Sequence, residues 1–133
     1  MKPATAVLTL LVVVGALAAW RGAARPDATD LLGTWRVDLR PTPDAPAYDQ
    51  AFVVTNVAGD SLQGTFYNTP IEQGRINAAW GAVHFAFTTA DRSGTYHHAG
   101  RLDAGRLDGS SHSLGRGFVM PWRAERAADQ DAR

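Results

Sequence analysis

The chain has 133 residues, its 13 basic and 13 acidic side chains balance to zero formal charge, and it has no cysteine. That length suits one domain, and the charge balance excludes a broadly basic nucleic-acid binder. Without thiols there is no disulfide framework, no thiolate metal site and no lipid-modified cysteine. At 45% hydrophobic and 20% charged residues, the composition is that of an ordinary globular protein rather than a low-complexity chain.

The N-terminus reads separately from the rest. No side chain between Lys2 and Arg21 is charged, the stretch Val7 to Ala19 is rich in Val, Leu and Ala, and Ala16-Leu17-Ala18 fits a small-residue cleavage pattern. A basic start, an apolar middle and a small-residue exit describe a secretory signal. The run also sits near the lower limit of ~17–25 residues for a membrane-spanning helix. Residues 1–20 are therefore expected to be a signal peptide or a membrane-anchor helix. Either outcome makes the remainder an exported protein, periplasmic or secreted, of the bacterial envelope. Contact with a membrane is expected only through this segment, if it stays uncleaved. Residues 21–30 read as a polar linker, 31–126 as the folded domain and 127–133 as a charged, disordered tail.

Within 31–126, short runs alternate in polarity between Gly, Asp, Asn, Ser and Pro. Thr34 to Leu39 alternates strictly, with Trp35, Val37 and Leu39 on one face. Ala51 to Val57 is β-branched and aromatic, and Leu62 to Tyr67 and Ile71 to Trp80 follow. Val83 to Thr88 places Val83, Phe85 and Phe87 together; Thr95 to Leu102, Arg106 to His112 and Phe118 to Ala124 complete the series. These are eight candidate strands, and a helical period of 3.6 is absent. The turns Ala58-Gly59-Asp60, Asp91 to Gly94 and Asp103-Ala104-Gly105 hold residues that accept turn dihedrals. Successive short strands joined by tight turns favour an all-β fold: an eight-stranded antiparallel up-and-down β-barrel, which leaves no open edge.

Several short motifs, in order, resemble a known family. Gly33-Thr34-Trp35 matches the Gly-x-Trp that opens lipocalin and avidin-like barrels. Leu62-Gln63-Gly64-Thr65, Gly74-Arg75-Ile76, Phe85-Ala86-Phe87, Tyr96 to Gly100 and Trp122 to Arg126 are similar to the small lipocalin-like, calycin-type domains of bacterial exported proteins. The resemblance implies a barrel, a ligand cavity and an arginine of the last strand, Arg126, lying over Trp35. It implies no particular activity.

The residues that carry chemistry are few. His84, His97 and His112 are expected to face outward on neighbouring strands, and His98, adjacent to His97, to face inward. Without sulfur or a nearby Glu, no metal site is assigned. Ser110-Ser111-His112-Ser113 places hydroxyls beside an imidazole in sequence only, and no Gly-x-Ser-x-Gly elbow exists, so no catalytic residue is assigned. No cofactor is expected. The inward set Trp35, Phe66, Phe85, Phe87, Tyr96, His98 and Trp122 either fills the barrel or lines an apolar pocket, with Tyr96 and His98 as its polar contacts. The leading expectation is a non-enzymatic domain that binds a small hydrophobic molecule or a protein partner. The alternatives are an enzyme with a shallow polar site using His97 and His112, and an exported protease inhibitor presenting Arg25 to Asp30.

Overall fold

The computed structural model describes residues 26–128. The expected signal or anchor helix at 1–20, the start of the linker and the end of the tail lie outside the described residues. The described chain is all-β, with nine strands: β1 (Gly33–Asp38), β2 (Asp49–Ala58), β3 (Ser61–Phe66), β4 (Thr69–Pro70), β5 (Glu72–Asn77), β6 (Val83–Asp91), β7 (Gly94–Asp103), β8 (Arg106–Ser113) and β9 (Phe118–Arg126). All pair antiparallel in one sheet of order β4-β3-β2-β1-β9-β8-β7-β6-β5. First and last long strands lie side by side, with Trp35 opposite Arg126, as the motif order implies.

The eight runs read from the sequence all form strands. The ninth, β4, is a two-residue addition that pairs Pro70 with Thr65 and Thr69 with Phe66. It exists because Tyr67 and Asn68 both adopt positive φ, 54° and 60°, as a two-residue hairpin turn requires. Neither residue advertises that conformation as a glycine would.

The barrel is nearly closed rather than closed. Between β3 and β5 there is no continuous ladder. Two backbone bonds bridge the seam: Ile71 N–H to the Gly64 carbonyl at 3.0 Å and Ile76 N–H to the Asp60 carbonyl at 2.7 Å. A register shift between Glu72 and Arg75, with Gln73 at φ 56°, bends β5 away from regular pairing. Close approach at the seam depends on Gly74, where a Cβ would stand 2.3 Å from the Leu62 carbonyl oxygen.

One end of the barrel is plugged. Asp27 and part of the expected linker enter the fold there: Ala28–Leu31 forms a 3-10 turn, capped by the Asp27 carboxylate, which accepts from Thr29 N–H at 2.9 Å. Leu31 and Trp35 are fully buried, and the Trp35 indole N–H donates to the Leu31 carbonyl at 2.9 Å. The Arg126 guanidinium lies 4.3 Å from the Trp35 ring centroid. It also donates to the carbonyls of Leu32, at 2.7 Å, and of Asp30. Arg126 thus joins the last strand, the first strand and the plug. Arg123, of opposite parity, is exposed and pairs with Asp108 at 3.3 Å.

Aromatic rings fill the middle. Phe52 stands 5.7 Å from both Phe66 and Phe85 and 5.1 Å from Phe87, centroid to centroid. Pairs at such spacing contribute ~0.5–1.5 kcal/mol each beyond their burial. Two glycines make room for the large rings. Gly100 and Gly109 face each other across β7 and β8. A Cβ on the first would meet Phe85 Cζ at 2.7 Å, and one on the second the Trp122 ring at 2.4 Å.

Because Trp35 carries both the plug and the Arg126 contact, Trp35→Ala is expected to cost about 3–5 kcal/mol, a large share of a typical ~5–15 kcal/mol. Urea unfolding of the two proteins measures this; a midpoint unchanged by the substitution would contradict the plug's role.

Candidate functional site

At the end opposite the plug, residues of β3, β6, β7, β8 and β9 border a cleft of about 350 Å³ into which the barrel opens. Its walls are Leu39, Phe66, Phe118 and Met120, with Tyr48, Tyr67, Tyr96 and Asp91 at the rim and Thr89, His98 and Ser111 below. The rim is held in place from the chain itself. The Asp38 carboxylate accepts from Arg40 and Tyr48 N–H groups at 3.1 and 3.3 Å, bridging the ends of the proline-containing segment that follows β1. The Arg40 side chain, bonded to Asp38 Oδ2 at 2.7 Å, holds that carboxyl well below the usual carboxylate range. This fixes Tyr48, whose hydroxyl meets that of Tyr67, with the rings edge-on at 6.1 Å. Across the mouth, Arg116 donates to the Tyr96 hydroxyl, and Tyr96 packs against Phe118 at 5.8 Å.

The floor is polar and fully bonded. His98 is 5% exposed and packed between Phe66 and Phe87, at 4.5 and 4.8 Å between centroids. Its Nδ1 is 2.7 Å from Ser111 Oγ and its Nε2 is 2.9 Å from Thr89 Oγ1. The Trp122 indole N–H donates to the same Ser111 oxygen at 2.9 Å. Because the indole N–H can only donate, it occupies one lone pair of Ser111 Oγ; a neutral imidazole then has one ring nitrogen that accepts and one that donates to these two hydroxyls. Burial, helped by the neighbouring imidazoles of His97 and His112, pushes the His98 pKa down to about 4. His98 is therefore a neutral hydrogen-bonding group at neutral pH, not a charge.

The expected site residues divide. Phe66, Tyr96 and His98 line the cleft. Phe85, Phe87 and Trp122 are buried beneath it, Phe87 as a wall for His98 and Trp122 as a donor to its partner. Trp35 lies at the other end, beside a second depression of about 330 Å³ bounded by Asp27, Asp30, Asp103 and Arg126. That depression is a surface groove between the plug and two turns. Its carboxylates are exposed, and none of the buried polar side chains borders it. Thr89 and Ser111 are not among the expected pocket residues, although continuing the inward parity of Phe85 and Phe87 reaches Thr89, and that of Leu107 reaches Ser111. Tyr48 and Tyr67 lie at or beyond strand ends, where parity carries no information.

Two chemistries can be weighed on this geometry. Ser111 and His98 have the spacing of a nucleophile and its base. However, the serine oxygen already accepts from Trp122, and an imidazole titrating near 4 is a poor base at neutral pH. Of the outward histidines, His97 and His112 stand opposite one another, while His84 pairs with Arg101 and Asn77. Among the described residues, no group of three or more metal-ligating side chains comes together. Comparison of the chain with protein-family models, curated proteins and solved structures finds no match.

The buried imidazole has a consequence for stability. An unfolded histidine takes up a proton near pH 6.5, whereas His98 in the folded chain resists protonation until about 4. Below 6.5 the unfolded state binds more protons, so stability falls as pH falls from 6.5 to 4, by up to ~3 kcal/mol from this group. Comparing denaturant unfolding of the wild type and His98→Phe across that range isolates the contribution. The variant is expected to have the flatter pH dependence; equal slopes would contradict a neutral, buried His98.

Proposed function

We propose that this exported β-barrel is a non-enzymatic binding domain that takes a small, mainly apolar, uncharged molecule into its open mouth. The observation that carries the reading is the cleft of about 350 Å³ with neutral His98 and its two hydroxyl partners at the floor. Apolar walls around a few placed polar groups are the common form of small-molecule sites, whose volumes run from roughly 300 to 1,000 Å³. At the low end of that range the ligand is compact, on the scale of a few small rings.

The chemistry of the floor narrows the class. Burying an unpaired charge there would be costly, so the inward end of the ligand is uncharged. The hydroxyl of Thr89, which lines the cleft beside His98, suits a polar atom of the ligand such as a carbonyl or ether oxygen. Charged groups of the ligand belong at the rim, where Asp91 and Arg116 are exposed to water. The inhibitor reading finds less support. Leu31 is buried and the Asp30 carbonyl is held by Arg126, so this end of the 25–30 segment packs onto the barrel rather than projecting from it.

The apolar fluorescent probe N-phenyl-1-naphthylamine is expected to bind the folded protein saturably, one per chain. Met120→Trp, which adds bulk to the cleft wall and leaves the aromatic layer beneath untouched, is expected to abolish the signal with the melting temperature preserved. Absence of saturable binding to the wild type, or equal binding by a folded Met120→Trp protein, would contradict the proposal.

A further inference from the structure

The outer face of the barrel carries a pair of side chains that the cleft does not use. His97 on β7 and His112 on β8 are direct cross-strand partners. Their rings lie 5.3 Å apart between centroids and within 10° of parallel. His97 is exposed and His112 half-buried, and neither has a hydrogen-bond or acidic partner among the described residues. Thr88 and Val119 flank the pair in the same register row. Thr95, Ala99 and Ser110 are the next outward residues along the two strands, and none of these neighbours carries a charge.

We propose that His97 and His112 form a two-nitrogen chelate for a divalent late first-row transition ion, with water completing its coordination. Imidazole suits copper, nickel and zinc, and Cu²⁺ binds most tightly in the general order of affinities. Metal–nitrogen bonds of about 2.0–2.1 Å place two nitrogens of one ion roughly 3–4 Å apart. Side chains directly opposite on antiparallel strands start with Cβ atoms about 4.5–5.5 Å apart. A rotation of each ring about its Cβ–Cγ bond therefore brings one nitrogen from each to a common point, and among the described residues His97 is exposed. Among the described residues neither imidazole is ion-paired, and the nearest carboxylate in the register row, Glu72, is separated from His97 by Thr88. The ion would tie β7 to β8 on the face behind His98, leaving the mouth free. His84, on the same surface but opposite Arg101, lacks a second imidazole in reach and provides the internal control.

The test is calorimetric titration of Cu²⁺ into the full chain, prepared without a histidine tag in a non-coordinating buffer. The wild type is expected to take up one ion per chain through these residues. His97→Ala and His112→Ala are each expected to weaken that binding by roughly tenfold or more, because a chelate reduced to one imidazole keeps half its protein ligands. His84→Ala is expected to bind as the wild type does. Circular dichroism confirms that each variant is folded, and His97→Gln and His112→Gln stand in where an alanine variant is not. Added Cu²⁺ should raise the melting temperature of the wild type and not that of the two variants. No binding by the wild type, binding unchanged in both folded variants, or a loss specific to His84→Ala would each overturn the proposal.

Discussion

The packing of Trp35 between Leu31 and the Arg126 guanidinium decides which end of this barrel can hold anything. A small barrel is only just wide enough for its own side chains. Here the indole, the 3-10 turn and the arginine occupy one end, and five aromatic rings with Gly100 and Gly109 opposite them occupy the middle. Among the described residues, space inside the barrel remains at the mouth, while the depression at the plug end is a groove on the surface. The mouth above His98 is thus a consequence of how the other end is filled. The same contact brings the first and last strands together, so closure of the sheet and polarity of the barrel have one origin.

The floor of the mouth is built at some cost to stability. A core of this kind needs no imidazole, and His98 replaces what an apolar side chain would supply by packing alone. It is tolerated because both ring nitrogens find hydroxyls and because Ser111 is itself fixed by the Trp122 indole. A buried polar network that is fully satisfied is rigid and specific, whereas one missing a partner is worse than an apolar core. The chain Trp122–Ser111–His98–Thr89 therefore presents the cleft with positioned polar groups rather than mobile ones. Tyr67 adds to the sense of a constructed rim. It holds a left-handed conformation that non-glycine residues rarely adopt, and in doing so places its hydroxyl against that of Tyr48.

Most of the barrel was legible in the sequence because a half-buried strand has a period of two. Trp35, Val37 and Leu39, then Val83, Phe85 and Phe87, declare their inward face without any knowledge of neighbours. The same parity separated His98 from His97, whereas the place of Arg126 over Trp35 was implied by the resemblance to lipocalin-like domains and not by parity. What parity could not convey was height along the barrel axis. Trp35, Phe85 and Tyr96 all point inward, yet the first belongs to the plug, the second to the packed layer and the third to the mouth. Height is set by register, and register depends on the Tyr67–Asn68 turn, the shift in β5 and the seam at Gly74. Ile71 to Trp80 read as one strand for the same reason: its bend comes from Gln73, whose residue type does not announce a positive φ. In sequence the plug resembles a linker because Asp27 and Asp30 are polar, although it is Leu31 and backbone carbonyls that make the contacts.

The central claim is that the binding end of the barrel is the His98 end and not the Trp35 end. Nuclear magnetic resonance of isotope-labelled protein during titration with an apolar probe tests it directly. The account requires the imidazole signals of His98 and the indole N–H of Trp122 to shift together in a saturable way, with the His98 nitrogens reporting a neutral ring throughout, while the indole N–H of Trp35 stays fixed. Shifts confined to Trp35 and Arg126, or a His98 ring that is protonated at neutral pH, would contradict it.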